Sequence, residues 1–67
     1  VKFSGDKLRK IRVNKGLSQE HLGYDSDTSG SEICKLENGK ISSPRLDTIS
    51  RIAKALGVKT MELIIND

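Results

Sequence analysis

At 67 residues, with no internal repeat and no low-complexity tract, the chain is read as one small domain that hides only about 60% of its unfolded surface. Its one cysteine, Cys34, excludes an internal disulfide, and one cysteine with one histidine, His21, cannot build a structural zinc site, so the core must come from helix packing. A formal charge of +3 favours an anionic partner without demanding one, and two aromatics, Phe3 and Tyr24, are too few for a platform that stacks single-stranded bases, so that if the partner is a nucleic acid, duplex DNA is the better match.

From Asp6 to Lys15 the pattern DKLRKIRVNK places Leu8, Ile11 and Arg12 at i, i+3 and i+4, with Asp6 and Lys15 matching the helix macrodipole and Gly16 as the stop. Ser18 is a suitable N-cap for a second helix from Gln19 to about Asp25, with Leu17 and Leu22 at the two places of a hydrophobic staple. The polar cluster DSDTS is a tight turn. Ser29 followed by Glu32 makes a capping box, and Ile33, Leu36 and Glu37 repeat the helical spacing up to a stop at Asn38-Gly39, giving a third helix from about Gly30 to Glu37. KISSP is a connector in which Ser43 before Pro44 offers a helix start, and a fourth helix carries Leu46, Ile49, Ile52, Ala53 and Leu56 inward before Gly57. Val58 to about Ile65 forms a last turn or two, with Val58 and Leu63 as a further staple. The β-branched residues nowhere alternate over a useful length, so the expected class is all-α.

Two helices carry a charge on their inward stripe, Arg12 on the first and Glu37 on the third. A lone charge there is costly, whereas opposite charges on facing helices satisfy each other, so the spacing predicts a partly buried Arg12–Glu37 salt bridge; the alternative is that both side chains run out to solvent. Lys35, two positions beyond Ile33, faces away from the core and is long enough to reach guanine O6 or N7, a phosphate or plain solvent being the other outcomes. Cys34 is read as a small helix residue and not a redox switch, and His21 as exposed and without a role. No carboxylate pair, nucleophile with a base or glycine-rich phosphate loop is present, so neither an enzyme nor a metal, cofactor or small-molecule site is expected. The longest apolar run falls far short of the roughly 18 residues of a membrane span, and VKFSGDKLRK lacks the apolar centre of a secretion signal, which points to a cytoplasmic protein. A start at Val1 and not Met is expected of a processed or trimmed piece of a longer chain.

A short helix, a tight turn and a second helix from Gly30 form a pair in which the second can protrude into a major groove about 12 Å wide. The stretches LSQEHL, ICKLENGK and PRLDTISRIAKALGV resemble the phage repressor and Cro type helix-turn-helix family, over nearly the whole chain from about Asp6 to Ile64. The resemblance implies a compact five-helix, lambda-repressor-like domain spanning residues 1–67, with an ordered core of about 6–65 and a short N-terminal arm, 1–5. It implies a bacterial or phage-encoded transcriptional regulator, a repressor, that binds double-stranded operator DNA as a symmetric homodimer. Carried over residue by residue, it assigns phosphate contacts to Gln19, Asn38, Lys40 and Arg45, base contacts to Ser29, Gly30, Ser31 and Lys35, and the structural ion pair to Arg12 and Glu37.

The chain departs from the family pattern in the turn, where Asp27 and Thr28 replace a Gly and a small aliphatic residue, and in the second helix, where Gly23 replaces Ala. Asp accepts a left-handed conformation less readily than Gly. Asp25 and Asp27 also set negative charge beside the incoming DNA backbone. Ile64 and Ile65, adjacent on the last helix, cannot both face one core; one is free for a dimer contact or is simply exposed. Gly30 costs little in a first turn and lets the backbone approach DNA, so the expected code is a few direct contacts supplemented by DNA shape. A restriction–modification controller and the antidote of a toxin pair would look alike in this stretch. A protein-interaction bundle that kept the fold and lost DNA affinity is the rival from another class.

Overall fold

The structure, a computed structural model, describes residues 2–41 and 43–65; Ser42, in the KISSP connector, lies outside them. Strand β1 (Lys2–Phe3) leads into α1 (Gly5–Asn14), α2 (Gln19–Asp25), α3 (Gly30–Glu37) and α4 (Leu46–Leu56), and a 3-10 helix (Thr60–Leu63) leads into β2 (Ile64–Ile65).

Local chemistry sets most of these boundaries. Ser4 caps α1, its Oγ accepting from the Lys7 N–H at 3.1 Å, so the helix opens at Gly5, one residue before the expected Asp6. Ser18 caps α2 through the His21 N–H at 2.9 Å. Ser29 caps α3 through the Glu32 N–H at 3.1 Å; among the described residues the Glu32 carboxylate does not return the bond, so only half of the capping box forms. Gly16, Gly39 and Gly57 all take positive φ just beyond helix ends, where a left-handed residue lets the chain turn away.

The core is built by Leu8, Leu22, Ile33, Leu36, Ile49, Ile52, Ala53, Leu56 and Leu63, with Phe3, Ile11, Leu17, Ile41 and Val58 packed at its edge. Leu17 and Leu22 thus meet the same cluster from either side of the Ser18 cap.

The structure corrects the expectations at α4 and at both ends. Helix α4 starts at Leu46, not at Ser43-Pro44, with Arg45 as an N-cap that makes no side-chain capping bond. Leu46 is 77% exposed and does not join the core. The buried stripe of α4 is Thr48, Ile49, Ile52, Ala53 and Leu56. At about 100° per residue, Leu46 stands roughly 90° from its centre.

The expected fifth helix is a single 3-10 turn, so the described residues form four α-helices and not five. It is also not purely helical. Residues 64–65 leave the helix and pair antiparallel with β1, Lys2 opposite Ile65 and Phe3 opposite Ile64. Ile64 and Ile65 therefore alternate as strand neighbours, the first half-buried and the second exposed, which resolves their adjacency without a helix. Two residues a side is too short a run to register as alternation in sequence. The expected arm 1–5 accordingly holds a strand and a helix cap, and the Ser4 N–H donates to the Leu63 carbonyl at 2.8 Å. No helix among the described residues is long and apolar enough to cross a membrane.

Candidate nucleic-acid interface

Helix α3 is held at its two ends by different means. At its start, two glycines let α2 and α3 come together almost backbone to backbone. A Cβ at Gly23 would lie 2.4 Å from the Ser29 carbonyl carbon and 2.6 Å from the Gly30 nitrogen, and one at Gly30 would lie 3.0 Å from the Glu20 Cα. Gly30 therefore serves the contact with α2. Its absent side chain makes room for Glu20, where the sequence suggested room for DNA.

The turn between these helices is tied by hydroxyls. Ser26, buried, donates to the Leu22 carbonyl at 2.7 Å, its Oγ lies 2.9 Å from Thr28 Oγ1, and the Thr28 N–H donates to the Gly23 carbonyl at 2.7 Å. Asp27 takes φ 59°, the left-handed conformation that the family's usual glycine would supply at lower cost.

At its end, α3 is held by charge. The Glu37 carboxylate, with a side chain 0% exposed, receives Arg12 through Nε at 2.5 Å and Nη2 at 3.0 Å, so the guanidinium grips both oxygens. Arg12 Nη1 donates to the Leu17 carbonyl at 2.8 Å, which ties the α1–α2 loop to the same centre. Gln19 Nε2 donates to Glu37 Oε1 at 3.0 Å, and Arg9 Nε approaches that oxygen at 3.5 Å. Burial pushes the Glu37 carboxyl up, and the hydrogen bonds from Arg12, Gln19 and Arg9 with the charge of Arg12 outweigh it, leaving the group below its ordinary value. The bond to Glu37 likewise holds the Arg12 guanidinium above its usual value against the opposing effect of burial.

Ile33, Leu36 and Glu37 face the core, and the other side of α3 presents Ser31 and Lys35, both exposed. Ser29 is exposed at the helix start, and Lys40 and Arg45 are exposed beyond its end. Gln19 and Asn38, expected at phosphates, are partly committed within the protein. Gln19 spends one N–H on Glu37, and Asn38 accepts from Arg9 Nη2 at 3.0 Å while donating from Nδ2 to Cys34 Sγ at 3.3 Å. Each retains a second amide hydrogen for an outside acceptor. Around this face the charge is segregated. Residues 16–34 hold four carboxylates, Glu20, Asp25, Asp27 and Glu32, and no Lys or Arg. Asp25 lies 3.2 Å from His21 Nε2 one helical turn away, a partner the sequence reading did not give that histidine.

Arg9, Gly5 and Ser26 escaped the sequence reading. Arg9 precedes Arg12 by three residues, the spacing of neighbours on one helix edge, and that signal could have found it. Gly5 could not have been found. A Cβ there would lie 2.4 Å from the Leu36 carbonyl oxygen, a clash with a residue far away in sequence.

Residues 8–63 match a protein-family model described as helix-turn-helix. The chain is 39% identical over 61 residues to the control protein C.BamHI of Bacillus amyloliquefaciens, covering 90% of this chain and 74% of that protein. A putative HTH-type transcriptional regulatory protein of Aeropyrum pernix is 38% identical over 64 residues, 96% of this chain and only 19% of that much longer protein. Among solved structures, the restriction-modification controller protein C.AhdI from Aeromonas hydrophila superposes with a TM-score of 0.85 at 37% identity, covering 90% of this chain and 89% of that one. The P22 c2 repressor, solved with a synthetic operator, shares the fold over the full length of both chains with a TM-score of 0.86 at 22% identity. The chain belongs to the helix-turn-helix family of DNA-binding transcriptional regulators, of the phage repressor and Cro type, a family of regulators and not of enzymes.

Proposed function

We propose that this protein is a transcriptional regulator that reads operator DNA with α3 in the major groove, as a symmetric dimer whose two recognition helices enter successive grooves about 34 Å apart. The observation that carries this reading is the two-sided character of α3. Its buried side is fixed by Ile33, Leu36 and Glu37, while Ser31 and Lys35 stand exposed opposite, flanked by the exposed cations Lys40 and Arg45. Lys35 is its long base reader, and Ser29 and Ser31 act at short range. Gly30, turned to α2, contributes no side-chain contact. The second N–H groups of Gln19 and Asn38, with Lys40 and Arg45, take phosphates, each neutralised phosphate steepening the salt dependence by about 0.9 log units. With one long reader, much of the specificity comes from DNA shape. The protein acts in the cytoplasm, as a repressor.

Control of a restriction–modification system is the finer reading, supported by C.BamHI and C.AhdI at 39% and 37% identity over nine-tenths of this chain. Titration of random duplex DNA at two salt concentrations tests the whole proposal: a steep salt slope is expected, and absence of binding at low salt would favour a protein-interaction bundle. Selection from a random duplex library with the parent and with Lys35→Ala tests the reader. A mutant that selects the same bases as the parent removes Lys35 from the code.

A further inference from the structure

We infer that Arg9 is a positioning residue for the DNA backbone, acting through the amide of Asn38; the inference rests on the DNA-binding reading above. Arg9 lies on α1, outside the helix-turn-helix pair, and its side chain is 48% exposed. It spans from Glu37 Oε1, 3.5 Å from its Nε, to Asn38 Oδ1, 3.0 Å from its Nη2.

A guanidinium has donors only. Facing Arg9, the Asn38 amide must therefore turn its oxygen inward, because the flipped amide would set N–H against N–H. With Oδ1 held, Nδ2 points the other way; one of its hydrogens rests on the weak acceptor Cys34 Sγ at 3.3 Å and the other is left for an acceptor outside the protein. A phosphate oxygen, which only accepts, fits that hydrogen. Without Arg9 the amide is free to rotate and offer its oxygen, which repels phosphate. Arg9 is itself steadied by Glu37, the carboxylate that also takes one N–H of Gln19. One buried carboxylate thus sets the direction of two amides of the proposed phosphate-binding rim, that of Gln19 directly and that of Asn38 through Arg9.

A double-mutant cycle on a fluorescent random-sequence duplex at low salt tests the inference. Asn38→Ala and Arg9→Ala should each weaken binding by roughly tenfold, the size of one hydrogen bond to a charged group. The double variant should bind no more weakly than Asn38→Ala alone, with the same salt slope. Losses that multiply, or a slope that falls by a further 0.9 or so when Arg9 is removed from the Asn38→Ala background, would mean that Arg9 touches phosphate itself and would overturn the inference. A second measurement needs no DNA: the two Asn38 Nδ2 proton resonances, kept distinct by slow rotation about the amide C–N bond, should lie away from free-amide positions in the parent and move to them in Arg9→Ala as the side chain is released. Unchanged resonances would also overturn it. If the parent binds no duplex, the DNA-binding reading falls and this inference with it, whereas a parent that binds with independent losses removes only the inference.

Discussion

The two ends of α3 are anchored by opposite strategies. The start is held by closeness, with glycines at 23 and 30 bringing two backbones together. The finish is held by reach, as Arg9, Arg12 and Gln19 extend from α1 and α2 to one buried carboxylate. Contact of the first kind is intolerant of any added atom and indifferent to pH and salt. Contact of the second kind tolerates small displacements and depends on charge. A helix fixed in both ways has a defined angle at its start and a defined rotation at its end, which is what presenting Ser31 and Lys35 to a groove requires.

The largest effect is expected at the charged end. Glu37→Ala leaves Arg12 and Gln19 facing an empty, dry position and should cost about 3–5 kcal/mol, enough to unfold much of a small domain. Urea unfolding measures this, and a loss below about 1 kcal/mol would show that the network holds little. Next comes the packed end, where Gly23→Ala drives a methyl into the Ser29 backbone and should cost about 2–3 kcal/mol, because backbone cannot swing aside as a side chain can. The family's usual alanine would thus be harmful here, and a thermal midpoint equal to the parent's would refute the close approach.

The third test separates the ends by pH. The folded Glu37 pKa lies below its unfolded value, so its stabilisation is fully present above the unfolded carboxyl range and is lost as pH falls through the folded pKa. Acid unfolding curves should therefore keep their steep limb in Gly23→Ala and lose part of it in Glu37→Gln. Equal limbs in both variants would show that other carboxyls govern acid stability. The smallest effect is expected at Asp27, where Asp27→Gly relieves the left-handed conformation and should raise stability by about 0.5 kcal/mol, part of the gain being offset by the greater freedom of an unfolded glycine. The same change removes a carboxylate beside the proposed DNA path. Anisotropy titration should show tighter binding, with an unchanged or weaker affinity counting against charge repulsion there.

How much of this was readable depended on the range of the interaction. Ser18 and Ser29 act on N–H groups three residues ahead, and both caps stand where the sequence placed them. Arg12 and Glu37 were legible as misfits, charges on stripes that should be apolar, and a misfit asks for a partner. Leu46 misled because its three-residue spacing from Ile49 is nearly, but not fully, in phase with a stripe set by five later residues. The β1–β2 ladder was illegible because each strand is two residues long and its partner lies at the other end of the chain. At the candidate site the exposure of Lys35, Lys40 and Arg45 followed from helical periodicity and turn position. The prior engagement of Asn38 by Arg9 and Cys34 did not, since it depends on how closely α1 approaches α3.

The ladder has a consequence of its own. By placing Lys2 opposite Ile65, it brings the two ends of the described fold side by side, with the helix-turn-helix pair lying midway between them along the chain. The fold is in effect a closed ring with an arbitrary opening. A circular permutant that joins these ends by a short linker and opens the chain between α3 and α4 should fold with α2 and α3 undisturbed.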